Sequence, residues 1–477
     1  MGEMSASCNK ILAMCPGLTR GLIEALEAWG SDEQKQYYLP NLISGTWSGT
    51  MCLTEPQCGT DLGLVRTKAE PDGDAYKVTG TKIWITFGEH DLTENIIHLV
   101  LARLPDAPEG IKGISTFLVP KFTADGKRNN VKCTGLEHKM GIKASPTCVI
   151  DMEEATGYLI GTPHKGMRTM FTMMNAARLH VGVEAISGAE IAYQTCLAFA
   201  KDRRQSRSLD KSKQDKSAPA DNILVHPDVR RMVLNQKSTT EAMRGLAFWA
   251  AIQLDVSRHS TDEKAKQEAS DLAALLTPII KSYCTERGTA NISEAIQVCG
   301  GSGYTTDWNI EQYYRDARIT MIYEGTNHIQ ALDLVGRKLP MHNGRLVQLF
   351  AAKVTEMIRG SKEEPRMAEF IEPLKKISKI LTEVTMELAG KGMADPEEVG
   401  AVASNYLNLF ALTALGYVWC VQVKKALETD NAFNRAKLKT ARYYFSNVLP
   451  EYESLVTLIR AGKAQMMAFD VEELETA

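Results

Sequence analysis

In the stretch Arg318-Ile-Thr-Met-Ile-Tyr-Glu-Gly-Thr-Asn-His-Ile-Gln330, one carboxylate, Glu324, follows an apolar run and directly precedes a glycine. A carboxylate so placed can act as a base. Apolar neighbours such as Ile322 and Tyr323 would desolvate it and raise its affinity for a proton, and Gly325 permits a sharp turn that aims it into a cavity. Residues Thr326 to Leu334 read as a helix start whose free N–H groups could face an anion. The plainer alternative is a strand-to-helix turn carrying a solvated glutamate.

Other familiar arrangements fail on their details. Gly161-Thr-Pro-His-Lys-Gly-Met167 has the glycine spacing of a phosphate-binding loop, but Met167 stands where that loop needs lysine, so a turn before a helix is the simpler reading. Gly300-Gly-Ser-Gly303 has neither a G-x-G-x-x-G frame nor a preceding strand. The nine histidines form no H-x-x-x-H pair, and no G-x-S-x-G elbow is present. The basic run from Lys201 to Lys216 is broken by Asp202, Asp210 and Asp215 and reads as a solvated helix end and loop. Ten cysteines lie scattered without a C-x-x-C pair, which fits reduced thiols and argues against zinc; no metal is expected.

The elements that must position Glu324 follow from composition and period. A chain of 477 residues is too long for one small core, and roughly two to four domains are expected. Hydrophobic residues at 44% and a net charge of -3 provide no global field for holding nucleic acid or an anionic membrane. No run of eighteen apolar residues is present, so no bilayer span is expected. The opening Met1-Gly-Glu-Met lacks the pattern of a secretory signal. Residues 1–46 read as helical, with Ser31 and Gln34 placed as a capping box. From Trp47 to about Gly157, dense Gly, Pro and Asp punctuation and alternating runs at 75–79, 96–102 and 114–119 read as a sheet domain. Helical periods return over 164–201, 226–258 and 262–298, with a polar loop at 207–225, and a further helical block fills 345–466.

Four segments are specific in combination: Met51-Cys-Leu-Thr-Glu-Pro-Gln-Cys-Gly-Thr-Asp61, Gly80-Thr-Lys-Ile-Trp-Ile-Thr86, Gln297-Val-Cys-Gly-Gly-Ser-Gly-Tyr304 followed by Tyr314-Arg-Asp-Ala317, and Ile322-Tyr-Glu-Gly-Thr-Asn-His-Ile-Gln330. In this order they resemble the acyl-CoA dehydrogenase family, with Thr60 in place of the family's usual serine. The resemblance implies an α+β multidomain fold. Its parts would be a remnant of an N-terminal helical domain (1–46), a barrel-like β domain (47–157), a helical bundle carrying the base (158–340) and an extra C-terminal helical domain (345–477).

Dehydrogenation of a thioester at Cα and Cβ needs a base for the α-proton and an acceptor for the β-hydride, and side chains supply only the first. The resemblance therefore implies FAD, with Glu324 as the base and its backbone N–H among the donors to the thioester oxygen. It matches Leu53, Thr54 and Thr86 to residues that bond the flavin ring, Trp84 and Ile85 to residues that pack on its face, and Thr60 to a contact near the pyrophosphate and substrate. For Trp84 a plain buried strand aromatic is the alternative. Arg203 and Gln205 match the family's E-R-x-Q, although Ser206-Arg207 and an inserted loop to His226 replace what usually follows. Gln297, Gly300 and Gly301 would meet the adenosine part of a partner subunit's FAD, with Thr326 and Gln330 at the same cofactor's other end, so a homodimer or homotetramer is implied. Asn175 and Arg178 stand at the family's D-x-x-R, which contacts CoA, and Tyr323 beside the base is a further substrate contact; a helix-surface role is the alternative for Arg178.

The segment Leu136 to Cys148, the stretch from Ala155 to Arg178 and the additional helices resemble the 3-methylmercaptopropionyl-CoA dehydrogenase branch, whose close relatives also take medium or long acyl chains. The implied electron acceptor is an electron-transfer flavoprotein. An acyl-CoA oxidase, a DNA-associated flavoprotein and a structural subunit with impaired catalysis are the rival readings, and the mixed charge of 345–477 disfavours the second. The implied compartment is the cytoplasm in a bacterium or the mitochondrial matrix in a eukaryote. Members of that branch carry about a hundred further residues of N-terminal helices, so the resemblance implies an incomplete lid over the acyl pocket, whether the sequence is truncated or a genuine short form.

Overall fold

Ser31 starts a helix by a reciprocal cap: Gln34 N–H donates to Ser31 Oγ at 3.2 Å, and Ser31 N–H donates to Gln34 Oε1 at 3.1 Å. The helix it caps is α3 (Asp32–Ile43), after α1 (Gly2–Cys8) and α2 (Lys10–Trp29). The computed structural model describes residues 1–475, apart from the side chains of residues 175 and 176. The chain divides into two compact units, Met1–His180 and Val181–Ala477.

In the first unit, seven strands follow the three helices: β1 (Trp47–Cys52), β2 (Lys68–Asp72), β3 (Ala75–Thr86), β4 (Asn95–Arg103), β5 (Ile114–Pro120), β6 (Val131–Leu136) and β7 (Thr147–Ile160). β4 pairs with β2, β2 with β3, β3 with β7, β7 with β5, and β5 returns to β4, so these five strands close into a ring. β1 adds parallel to β4, and β6 antiparallel to β7. The period of two on β4 decides which core each residue joins. Val100 and Ala102 pack with Val78, Phe117, Val119 and Ile150 inside the ring. Ile97, Leu99 and Leu101 instead pack with Leu22 and Leu26 of α2 and with Met170 and Met173. Burying side chains of this size stabilises by about 1.5–3 kcal/mol each.

α4 (Gly166–Asp202) begins after the positive-φ Gly161, so the P-loop-like segment is a turn before a helix, and it runs on into the second unit. There α5 (Pro227–His259) and α6 (Glu263–Cys299) pack along each other; Pro227 opens the first, and Asp262 caps the second by accepting from Lys264 N–H and Ala265 N–H. The shorter α7 (Ile310–Arg318) and α8 (Asn327–Asp333) follow, then α9 (Arg345–Arg359), α10 (Ala368–Ala394), α11 (Pro396–Ala426), α12 (Ala432–Tyr443) and α13 (Tyr452–Ala461). Arg345 holds α9 to α6 through a two-pronged bond to Asp271, at 2.6 and 3.1 Å.

The structure settles one alternative here and adds one helix that the criterion of an unbroken apolar run passed over. A 3-10 turn, Ile319–Met321, leads from α7 towards Glu324, so the base follows helical turns and not a strand. α11 is long and apolar enough to cross a bilayer by length and composition, because scattered polar residues interrupt its apolar run without lowering its mean hydropathy far. Most of its apolar window is buried, against α5, α8, α10 and α13, as befits a core helix.

Candidate functional site

The loop after β1 and the end of β3 are tied together by a buried ion pair. Lys82, wholly out of solvent, donates from Nζ to Glu55 Oε1 at 2.8 Å and to the Leu53 carbonyl at 3.0 Å. Glu55 also accepts from Arg66 N–H (2.8 Å), Thr67 N–H (3.0 Å), the Thr67 hydroxyl (2.5 Å) and Gln57 Nε2 (2.6 Å). Burial alone would raise the Glu55 pKa, but Lys82 and these donors outweigh it and hold the carboxyl down to about 2. The Ile83 N–H donates to the Thr54 carbonyl at 2.9 Å, which brings Leu53 and Thr54 beside the Trp84 to Thr86 strand end.

That strand end is irregular. Its register against β7 shifts between Lys82 and Ile85, and Trp84 sits at φ +60, a conformation that costs an L-residue roughly 1–2 kcal/mol. Consequently Trp84 is 60% exposed, and the alternative of a buried strand aromatic does not hold. Ile85, expected on a ring face, turns the other way: it is 2% exposed in the core of the β ring, because the shift that throws Trp84 outward returns the next side chain inward. Thr54 and Thr86 are half-buried, and neither hydroxyl makes a hydrogen bond among the described residues. Thr60 is exposed in the loop beyond them. An exposed aromatic platform beside two hydroxyls without partners fits a planar heteroaromatic ring bearing polar edges.

In the second unit the Glu324 turn is built by two consecutive left-handed residues, Glu324 at φ +58 and Gly325 at φ +84. The glycine takes this at little cost; the glutamate does so under strain, and strain of that kind persists only where surroundings over-determine it. Gln330 Nε2 donates to the carbonyls of Glu324 (3.2 Å) and Gly325 (3.3 Å), and Lys281 Nζ on α6 donates to the Gly325 carbonyl at 2.7 Å. On the other side, the Tyr323 hydroxyl donates to Glu184 Oε2 at 2.5 Å. Burial first, then Glu184 and Glu324, push the Tyr323 pKa well above its ordinary value, so the phenol stays protonated as that donor.

Two expectations about this turn are corrected, and a third residue is engaged within the protein. Ile322 is 46% exposed and does little to desolvate Glu324, because the helical turn before it points its side chain outward. Gln330, expected against the cofactor, is fully buried with its amide on the two turn carbonyls. Tyr323, expected on the substrate, commits its hydroxyl to Glu184. Thr326 caps α8 by accepting from Ile329 N–H at 3.4 Å, as its position predicts.

The remaining residues lie elsewhere. Gln297, Gly300 and Gly301 are exposed at the end of α6, about 24 Å further along the helix axis than Lys281 at 1.5 Å per residue. Gly300 is at φ +59, and a Cβ added at either glycine would meet nothing within 4 Å. Arg203 and Gln205 are exposed after α4, where the inserted loop folds back: Gln205 N–H donates to the Asp221 carbonyl at 3.0 Å, and Ile223 N–H to the Arg203 carbonyl at 3.0 Å. Arg204 pairs with Asp215 and Arg207 with the buried Asp221. Arg178 is only 7% exposed and is no helix-surface arginine. The side chain of Asn175 lies outside the described residues.

Four functional side chains escaped the sequence reading. Glu55 and Lys82 stand inside the quoted motifs but were not singled out in them. Lys281 is a lone cation after Leu275-Leu-Thr-Pro-Ile-Ile280, and Glu184 a lone anion in the apolar middle of α4; each could have been noticed as a charge on a buried helix face.

Comparison with known proteins returns one family. Family models match for the acyl-CoA dehydrogenase middle domain over residues 50–155, the acyl-CoA dehydrogenase C-terminal domain over 164–339 and an acetyl-CoA dehydrogenase C-terminal-like domain over 350–470. The 3-methylmercaptopropionyl-CoA dehydrogenase of Ruegeria pomeroyi is 43% identical over 464 residues, spanning 94% of this chain and 78% of its own length. The structure of Caenorhabditis elegans ACDH-11 in complex with C11-CoA matches with a TM-score of 0.80 at 20% identity, over 96% of this chain and 76% of that one. The acyl-CoA dehydrogenase of Bacillus anthracis complexed with FAD matches at 0.75 and 24% identity, over 91% and 73%. At these identities the two structures speak for the fold alone.

Proposed function

Because the chain belongs to the acyl-CoA dehydrogenase family, we propose that it oxidises an acyl-CoA thioester to the trans-2-enoyl-CoA with Glu324 as the base. The observation that carries this reading is the strained, three-fold-anchored turn that presents Glu324. A base held at one orientation forgoes the entropy of finding its proton, which is how positioning lowers a barrier. Glu324 would accept the α-proton, and its backbone N–H is our candidate donor to the thioester oxygen as negative charge develops there.

FAD, when bound, supplies the acceptor for the β-hydride. Trp84 would lie against its ring, with Thr54, Thr86 and the Leu53 backbone at its edge and Thr60 towards the pyrophosphate. Gly300 and Gly301 leave room that fits a cofactor's approach, and Gln297 and Arg203 are exposed beside no other described function. Since α6 carries Gln297 far from the turn that bears Glu324, we infer that these residues serve the FAD of a second subunit in a homodimer or homotetramer.

For the substrate we favour 3-methylthiopropanoyl-CoA, on the name of the Ruegeria relative, with a medium- to long-chain acyl-CoA as the alternative that the resemblance to its branch implies. Arg178 and Asn175 are the candidates for contact with CoA. Electrons would pass to an electron-transfer flavoprotein. The division at 1–46, 47–157, 158–340 and 345–477 is our proposal for the domains.

The test is a visible spectrum of the purified protein followed by anaerobic mixing with butanoyl-, octanoyl-, palmitoyl- and methylthiopropanoyl-CoA. Yellow protein that bleaches with one of these supports the reading. Colourless protein that cannot be reconstituted with FAD, or flavin that no thioester bleaches, overturns it.

A further inference from the structure

Lys281 is wholly buried in the middle of α6, a position where a neutral side chain would avoid the cost of removing an ammonium from water. Its Nζ donates to the Gly325 carbonyl at 2.7 Å and to Asn327 Oδ1 at 3.1 Å. Asn327 is in turn fixed by the same stretch of α6: its Nδ2 donates to the Ser282 carbonyl at 3.2 Å, and the Thr285 hydroxyl donates to its Oδ1 at 3.2 Å. One turn of α6 thus grips both residues that flank Thr326. The segment gripped is the one whose backbone leaves the ordinary regions at Glu324 and Gly325.

A strained pair of left-handed residues relaxes unless its carbonyls are held. Gln330 holds them from within the same short segment, through bonds of 3.2 and 3.3 Å that move with it. Lys281 is the donor on a long helix outside that segment, and as a cation it makes the stronger, charge-assisted bond. We propose that Lys281 is a positioning residue for the base, its buried ammonium clamping the Gly325 carbonyl so that Glu324 keeps the left-handed conformation that aims its carboxylate. This rests on the reading of Glu324 as the base.

Lys281→Met removes the donor at nearly constant length. In flavin-loaded protein, the limiting rate of anaerobic bleaching should fall by about 10- to 100-fold, the effect of a base displaced by about an ångström. The half-saturating thioester concentration should stay within roughly threefold, since no contact with the substrate is lost. Hydrogen–deuterium exchange of the peptide covering 319–330 should quicken by about tenfold in the variant, with α6 itself no faster. Lys281→Arg, which keeps a cationic donor, should recover part of the rate. Asn327→Leu leaves the bond to Gly325 in place and removes only the ties of Asn327 to Lys281, Ser282 and Thr285, so it should slow the rate less than Lys281→Met does; if Lys281→Met does not fold, Lys281→Gln, neutral and shorter in reach, decides the matter by the same rate and exchange measurements. Wild type inert towards every thioester would sink the proposed function, while the exchange measurement would still judge the clamp. Active wild type with a Lys281→Met variant of unchanged rate and unchanged exchange would overturn the clamp alone.

Discussion

The Lys82 ammonium lies 2.8 Å from Glu55 Oε1 with no part of the lysine in solvent, so a single ion pair joins the strand that presents Trp84 to the loop that presents Thr54. Removing the cation would leave Glu55 a buried carboxylate without its counter-charge. We predict that Lys82→Met costs about 3–5 kcal/mol in urea unfolding and lowers flavin content, whereas adding Glu55→Gln recovers part of the loss. A Lys82→Met variant within about 1 kcal/mol of wild type would show that the pair does not hold this corner.

Acid should weaken the first unit in two stages. His98 is fully buried, with Nδ1 2.8 Å from Thr50 Oγ1, and burial lowers its pKa to about 4. Glu55 lies at about 2. Both folded values fall below the unfolded ones, about 6.5 and 4.3, so each group contributes stability that is complete above its unfolded pKa and is lost as pH falls through the folded one. We predict a loss of order 3 kcal/mol from His98 between about pH 6.5 and 4, and a comparable one from Glu55 below about pH 4.3. Urea midpoints measured across this range check it, and His98→Gln should flatten the first stage. Midpoints constant down to about pH 4.5 would contradict the assignment to His98.

Glu324→Gln keeps the size and the turn but cannot take a proton. The variant should fold and hold flavin, and bleach with an acyl-CoA about two to four orders of magnitude more slowly than wild type. Stopped-flow absorbance reads the rate, and equal rates would remove Glu324 from the role of base.

Gly301 offers the cleanest separation of folding from cofactor binding. Nothing lies within 4 Å of a Cβ added there, so Gly301→Val should melt like wild type when both lack flavin. Flavin content and assembly, read by absorbance and sedimentation, should fall together. Full occupancy in the variant would place the cofactor elsewhere.

The helices were legible because their period is local, as is the one cap read in advance: Ser31 with Gln34 needs only residues within a turn. The strands at 96–102 and 114–119 were legible from alternation, but the closing of five strands into a ring depends on pairings far apart in the chain, such as Thr116 with Ile160. Within the site, Trp84 and Glu324 were identifiable by motif, yet their left-handed backbones were not, since neither residue type favours that conformation. The inversion of Ile85 came from a register shift set by β7. Lys281 is visible as a lone charge in an apolar stretch of helix, but its tie to Gly325 is not, because the two lie on different elements and proximity of that kind has no local signature.

A closed ring of strands has no edge, and β6 hangs outside it, pairing among the described residues with β7 alone. Its outer flank is therefore a template on which another molecule's strand could stack. Two features spoil that template: Lys132 stands in solvent, and the register breaks between Cys133 and Gly135. The short run Val131–Leu136, with Leu136 61% exposed, is thus an edge that carries its own guards against strand-on-strand pairing, a charged Lys132 and a broken register.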